Sequence, residues 1–150
     1  MTRILNCANG IIKYMTNREF ITACLDGNRY QGRDRRNGHL YWDGSILYSY
    51  GRHYPLAFRI KDAWFINDAG YSSTTGRHIS EAKLAVKQFY SVHLAEYKPV
   101  SIETVCGCLK FEMTDLNSKL ATLSPRAFRQ RERIIERMDE IKESLRFINS

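Results

Sequence analysis

The chain has 150 residues, of which 43% are hydrophobic and 26% charged, a size and composition that exclude disordered and fibrous classes and fit one domain with a core of its own. Its net charge is +7 and its cations are 15 Arg and 8 Lys, a balance that favours an anionic partner because guanidinium is the better fork for phosphate and carboxylate. No apolar run approaches the ~18 residues of a membrane span.

In chain order, residues 10–15 read as a short strand. Thr16-Asn17-Arg18-Glu19 fits a capping box, which predicts a short helix to about Leu25, stopped by Asp26-Gly27. The polar stretch Arg29–Gly38 (RYQGRDRRNG) reads as a loop. The hydrophobic period then becomes two. His39–Trp42 and Ser45–Tyr50 flank the hairpin signal Asp43-Gly44. Tyr54, Leu56, Phe58 and Ile60 alternate as in a half-buried strand, with Pro55 suggesting an edge or first position. Ala63–Asn67 completes an expected antiparallel meander of four strands over residues 39–67.

A helix is predicted over His78–Tyr97 from the stripe Ile79, Ala82, Val86, Phe89, His93 and Tyr97. A second covers about Ile102–Leu123, with breaks expected near Gly107 and Thr114. Ser124-Pro125 reads as the opening of a last helix that runs to about Phe147. Its seam of Ala127, Arg131, Ile134, Met138, Ile141, Leu145 and Ile148 resembles a coiled coil. That seam predicts packing on the same chain, with a homodimer through the C-terminal helix as the other outcome. The expected fold is one α+β domain: an antiparallel meander sheet over about 10–70, helices over about 76–148, and a long C-terminal helix.

The opening MTRILNCANGIIKYM lacks the apolar core and cleavage site of a signal peptide. Cys7, Cys24, Cys106 and Cys108 form no secreted disulfide framework, so a reduced cytoplasmic setting is expected. Cys106-Gly107-Cys108 is spaced too closely for a zinc knuckle. Neither metal nor cofactor is expected.

Residues 46–80 carry three motifs: Tyr48-Ser49-Tyr50-Gly51, then His53-Tyr54-Pro55-Leu56-Ala57, then Tyr71-Ser72 with Thr74, Thr75 and His78. This pattern resembles a small domain of uncharacterised bacteriophage proteins. The resemblance covers about a third of the chain and implies an origin, not an activity: a phage accessory protein acting in the host cytoplasm.

Two basic clusters could bind a partner. Arg29, Arg33, Arg35 and Arg36 crowd one loop, and Arg126, Arg129, Arg131 and Arg133 crowd the start of the last helix. Arg52 and Arg77 sit in turns beside His53 and His78. Tyr41, Tyr48 and Tyr50, near the first cluster, are expected to be exposed and able to stack on bases. The stretch GYSSTTGRHIS presents Ser72, Thr74, Thr75, Arg77 and His78 as an anion site at a helix start, or as a turn in which Thr74 or Thr75 caps the helix. No catalytic residue is expected. Together these features predict a non-enzymatic accessory protein binding nucleic acid, or the nucleic-acid-binding groove of a host complex in the manner of an anti-CRISPR-like counter-defence inhibitor. The competing expectation is a nucleotide-sequestering protein or phosphoesterase centred on Thr74, Thr75, Arg77 and His78.

Overall fold

A computed structural model describes residues 15–26, 29–94 and 100–150, so the strand expected over 10–15 lies outside the described residues except for Met15, which is not in a strand. The chain is α+β. Its elements are α1 (Asn17–Leu25), β1 (Arg35–Asn37), β2 (Leu40–Trp42), β3 (Leu47–Ser49), β4 (Tyr54–Ile60), β5 (Ala63–Asn67), α2 (Ser73–Ala85), β6 (Phe89–Val92), α3 (Ile102–Thr122) and α4 (Phe128–Asn149). The strands form one sheet in the order β1-β2-β3-β4-β5-β6. Every pairing is antiparallel except β5 with β6, which a crossover through α2 makes parallel. None of the described helices is long and apolar enough to cross a membrane.

The local signals hold where they are local. The Thr16 side chain accepts from the Glu19 amide at 3.1 Å and α1 ends at Leu25. The β2–β3 hairpin turns one residue later than expected. Asp43 N–H bonds the Ile46 carbonyl, which leaves Gly44 and Ser45 as the two central residues. Gly44 has φ +100°, as the first position of a II′-like turn requires.

The helix expected over His78–Tyr97 stops at Ala85. Val86 is extended, and Phe89–Val92 joins the sheet as β6. The apolar stripe misleads because Val86 and Phe89 do pack on the same core as Ile79 and Ala82, but from extended chain. β1 lies inside the expected loop, since a three-residue strand reading Arg-Arg-Asn carries no apolar alternation. α3 runs unbroken through Gly107 and Thr114. Ser124-Pro125 forms a turn between helices instead of opening one, with Ser124 Oγ accepting from the Arg126 amide at 3.2 Å and α4 starting at Phe128.

Two cores lie on opposite faces of the sheet. On the inner face, Leu40, Trp42, Leu47, Leu56, Trp64 and Ile66 meet Phe20 and Ile21 of α1 and Ile79 and Ala82 of α2. On the outer face, Phe58, Ile60, Phe65 and Val92 meet Val105 and Leu109 of α3 and Ile141 and Ile148 of α4. A bulge in β4 makes both possible. Leu47 pairs with Ala57 and Tyr48 with Pro55, so Leu56 is the extra residue. Leu56 and Ala57 then both face inward, and the alternation flips so that Phe58 and Ile60 face outward. The half-buried strand predicted from the period of two is therefore buried on both sides, with only Arg59 exposed.

α3 and α4 pack as an antiparallel pair over the β4–β6 half of the outer face. Phe147 stacks near Tyr90 and Phe65, and Arg137 donates to both Glu112 carboxylate oxygens and to the Ser91 carbonyl. Of the α4 seam, Ile141 and Ile148 are buried in the outer core, Leu145 is half-buried against it, and Ile134 and Met138 are half-buried. α4 thus runs antiparallel to β6, with its first turns towards the Val92 end of the sheet. The β3–β4 turn, which carries Arg52, lies at that same end.

Candidate nucleic-acid interface

Strand alternation puts Leu40, Trp42, Leu47 and Ser49 inward, so Tyr41 and Tyr48 point outward. The hairpin register aligns them: Arg36 pairs with Tyr41, Tyr41 with Tyr48, and Tyr48 with Pro55, a single row across four strands. The principal contacts of α3 and α4 with the sheet fall on β6, away from Arg36, Tyr41 and Tyr48, and those of α2 on β4 and β5 belong to the inner face.

Arginines cover the row instead. The Arg36 guanidinium lies 4.5 Å from the Tyr41 ring centroid, and Arg52 lies 5.3 Å from it while donating to the Tyr41 hydroxyl at 3.1 Å. Tyr41 is 3% exposed, whereas both arginines are exposed. The expectation of an exposed Tyr41 is corrected: it is a pedestal for two cations. Its hydroxyl bond is the largest cause holding Arg52 above its ordinary pKa. Tyr48 is half-buried and stacks on Tyr41 with centroids 6.0 Å apart. Burial first, and then the Asp43 carboxylate, push the Tyr48 phenol above its ordinary range, so it stays a neutral donor.

The other arginines of the expected loop divide. Arg35 alternates with Arg36 and faces the other way, and it and Arg29 flank the ring of Tyr30 at 5.1 and 5.5 Å. Arg33 is exposed on the loop between them. That loop is seated on the hairpin: Gly32 N–H bonds the Gly44 carbonyl at 2.9 Å, and a Cβ on Gly44 would meet Gly32 Cα at 2.9 Å. Gly44 therefore fixes both the turn and the loop that leads into β1. Arg126, Arg129 and Arg133 are all exposed around the start of α4. Tyr50 does not join the row. It sits in the β3–β4 turn with φ +59°, its ring against His39 and Tyr71.

The hydroxyl-rich turn resolves differently. Its cap is Ser72, whose Oγ accepts from the Thr75 amide at 3.1 Å, not Thr74 or Thr75. The helix starts earlier than the expected His78, at Ser73, so Gly76 lies inside the first turns of α2. Thr75 and His78 are 0% and 2% exposed and point into the sheet, where Ser49 Oγ meets Thr75 Oγ1 at 3.1 Å and His78 Nδ1 at 2.9 Å. The Asn17 side-chain amide approaches His78 Nε2 at 3.4 Å and is bonded in turn to the Asn37 amide of β1 at 3.0 Å, so both ring nitrogens of His78 are engaged. Burial, and then the nearby His39, hold His78 below its ordinary pKa, so it is neutral. The expected anion site is thus split: Ser72 and Arg77 are exposed and Thr74 half-buried, while Thr75 and His78 are structural and reach no partner. His53 is exposed, whereas His78 is buried with both ring nitrogens engaged by Ser49 and Asn17.

Burial pushes the Cys24 thiol far above its ordinary range, and Cys106 and Cys108 are half-buried in α3. Among the described residues, no group of three or more His, Cys, Asp or Glu side chains is arranged to hold a metal ion.

No curated protein and no solved structure matches the chain. Residues 11–92, the segment from before α1 to the end of β6 and more than half of the chain, match a family of unknown function, DUF8033, and the chain belongs to that family.

Proposed function

We propose that this chain binds nucleic acid, without catalysis, through the row Arg36-Tyr41-Tyr48 and the neighbouring Arg52. The supporting observation is the Arg36-Tyr41-Arg52 cluster: two exposed arginines held against one buried ring, on a part of the outer face away from the described α3–α4 pair. A cation held against a ring loses less freedom on meeting phosphate than a free surface arginine does. Arg33 extends this positive surface along the loop, and Arg126, Arg129 and Arg133 lie towards the end of the sheet that carries Arg52. The setting proposed is the cytoplasm of a host cell, with the chain as a bacteriophage-type accessory protein.

A fluorescence anisotropy titration with labelled DNA and RNA tests this. Binding should weaken linearly in log–log form with salt, by about 0.7–0.9 per phosphate neutralised. The double variant Arg36→Ala, Arg52→Ala should bind at least about tenfold more weakly, since each charge-assisted contact contributes ~1.5–3 kcal/mol. Absence of binding to any strand type at low salt rejects the proposal. Capture instead by a nucleic-acid-binding protein, through the same two arginines, would make the chain a counter-defence inhibitor.

A further inference from the structure

The structure assigns this face to unpaired rather than double-stranded nucleic acid, a step that rests on the proposed function above. Arg36 is exposed and its Cζ lies 4.5 Å from the centroid of Tyr41, so that the guanidinium rests against the ring and is open to a ligand. An arginine held this way is a flat, cationic stacking surface, the kind on which an unstacked base settles as it does on an aromatic ring. Arg52 spends Nη2 on the Tyr41 hydroxyl, which leaves the rest of its fork for a phosphate. Tyr48 stands one strand further along the same row. The row from Arg36 to Tyr48 crosses two strand spacings, about 10 Å at ~4.8 Å each.

The same geometry has little to offer a duplex. Bases within a double helix present edges, not faces, and their edges are reached by a helix or a β-ribbon that enters a groove. Here the row is the pleated surface of short strands, with α1 and α2 on the opposite face and the α3–α4 pair over the far strands. The side chains that rise from the row are a ring pedestal and cations, which suit base faces and phosphates on a flexible strand.

The experiment uses the full chain and three labelled oligonucleotides of equal length, about 12 nucleotides: a mixed-sequence single strand, the same strand annealed to its complement, and an abasic strand with the same phosphates. The single strand should bind about tenfold more tightly than either of the others, in line with ~1–3 kcal/mol per stacked base. Arg36→Lys keeps the charge and loses the plane. It should lower affinity for the based strand several-fold more than affinity for the abasic strand, and so remove most of that preference. Circular dichroism melting confirms that the variant is folded. Duplex binding equal to or tighter than single-strand binding overturns this inference and leaves nucleic-acid binding standing, as does an abasic strand that binds as well as the based one or an Arg36→Lys variant with the preference intact. No binding to any of the three overturns both readings.

Discussion

One sheet face ends in two ways. Over β4–β6, the rings of Phe58, Phe65 and Tyr90 lie together under Phe147 of α4, and Phe58 and Phe65 are almost fully buried. Over β1–β3, Tyr41 and Tyr48 stack in the same manner, but Arg36 and Arg52 are the cover. The rings are alike; their cross-strand neighbours are not. Phe65 pairs with Phe58 on one side and Tyr90 on the other, so its neighbourhood is apolar and a helix can dock. Tyr41 pairs with Arg36, and an arginine lays its stem and plane on a ring while keeping its charge in water. The first arrangement stabilises the fold. The second contributes only ~0.5–1 kcal/mol per exposed cation–ring contact, too little to explain the pairing by stability alone.

The largest expected effect breaks the covered half. Phe65→Ala should cost about 3–5 kcal/mol by transfer and cavity terms, whereas Arg36→Ala on the open half should cost under about 1 kcal/mol. Urea unfolding of both variants measures the contrast, and equal costs would erase the distinction between the halves.

Next in size is the hinge of the open half. Gly44→Ala forces a left-handed backbone and brings Cβ within 2.9 Å of Gly32 Cα. It should cost about 1–3 kcal/mol from the backbone strain and also shift the loop that leads into β1. Urea unfolding reads the first effect, and backbone amide shifts of Arg33–Asn37 read the second. A variant as stable as the wild type would show that the loop is not seated on the turn.

A smaller effect separates the site from the support beneath it. The folded pKa of His78 lies below its ordinary value of 6.5, so the unfolded chain binds the proton first. The stability that the neutral ring provides is complete above about pH 6.5 and is lost as pH falls below it, with a slope approaching ~1.4 kcal/mol per pH unit. His78→Gln should flatten the fall in stability between about pH 7 and 5, while leaving oligonucleotide affinity at pH 7.5 unchanged to within about twofold. Denaturant midpoints across pH check the first part and anisotropy the second. An unchanged pH slope, or a loss of binding, would return His78 to the candidate site.

Reading the sequence recovers what is decided within a few residues. The Thr16 cap, the four consecutive strands of the meander and the long last helix all follow from local spacing. β6 does not, because Phe89–Val92 becomes a strand only by pairing with β5 across an intervening helix. The cap of α2 is misassigned because four hydroxyls in a row could each serve, and the choice of Ser72 depends on Thr75 being drawn inward by Ser49. The arginine cluster is legible as composition but not as a surface, since Arg35 and Arg36 face opposite ways. Tyr41 is the residue whose role is missed. Its signal was present: once Gly44 and Ser45 are the turn, Tyr41 must pair with Tyr48, and continuing the register places Arg36 beside it.

The smallest expected change tests that same local reading. Gly76 is helical with nothing within 4 Å of an added Cβ, so Gly76→Ala should stabilise the chain by about 0.5–1 kcal/mol. A thermal melt suffices, and a loss of stability would mean that the glycine has a conformational role in the turn.

The contrast between the two halves is tested most directly by amide shift mapping. A ¹⁵N–¹H titration of the full chain with the single-stranded oligonucleotide should move Arg36, Tyr41, Tyr48 and Arg52 first and most, and leave Phe58, Phe65 and Val92 near their starting positions. Shifts centred on the exposed start of α2, at Ser72 and Arg77, or spread over the α3–α4 pair with the β1–β3 row unmoved, would contradict the assignment of the open half as the binding face.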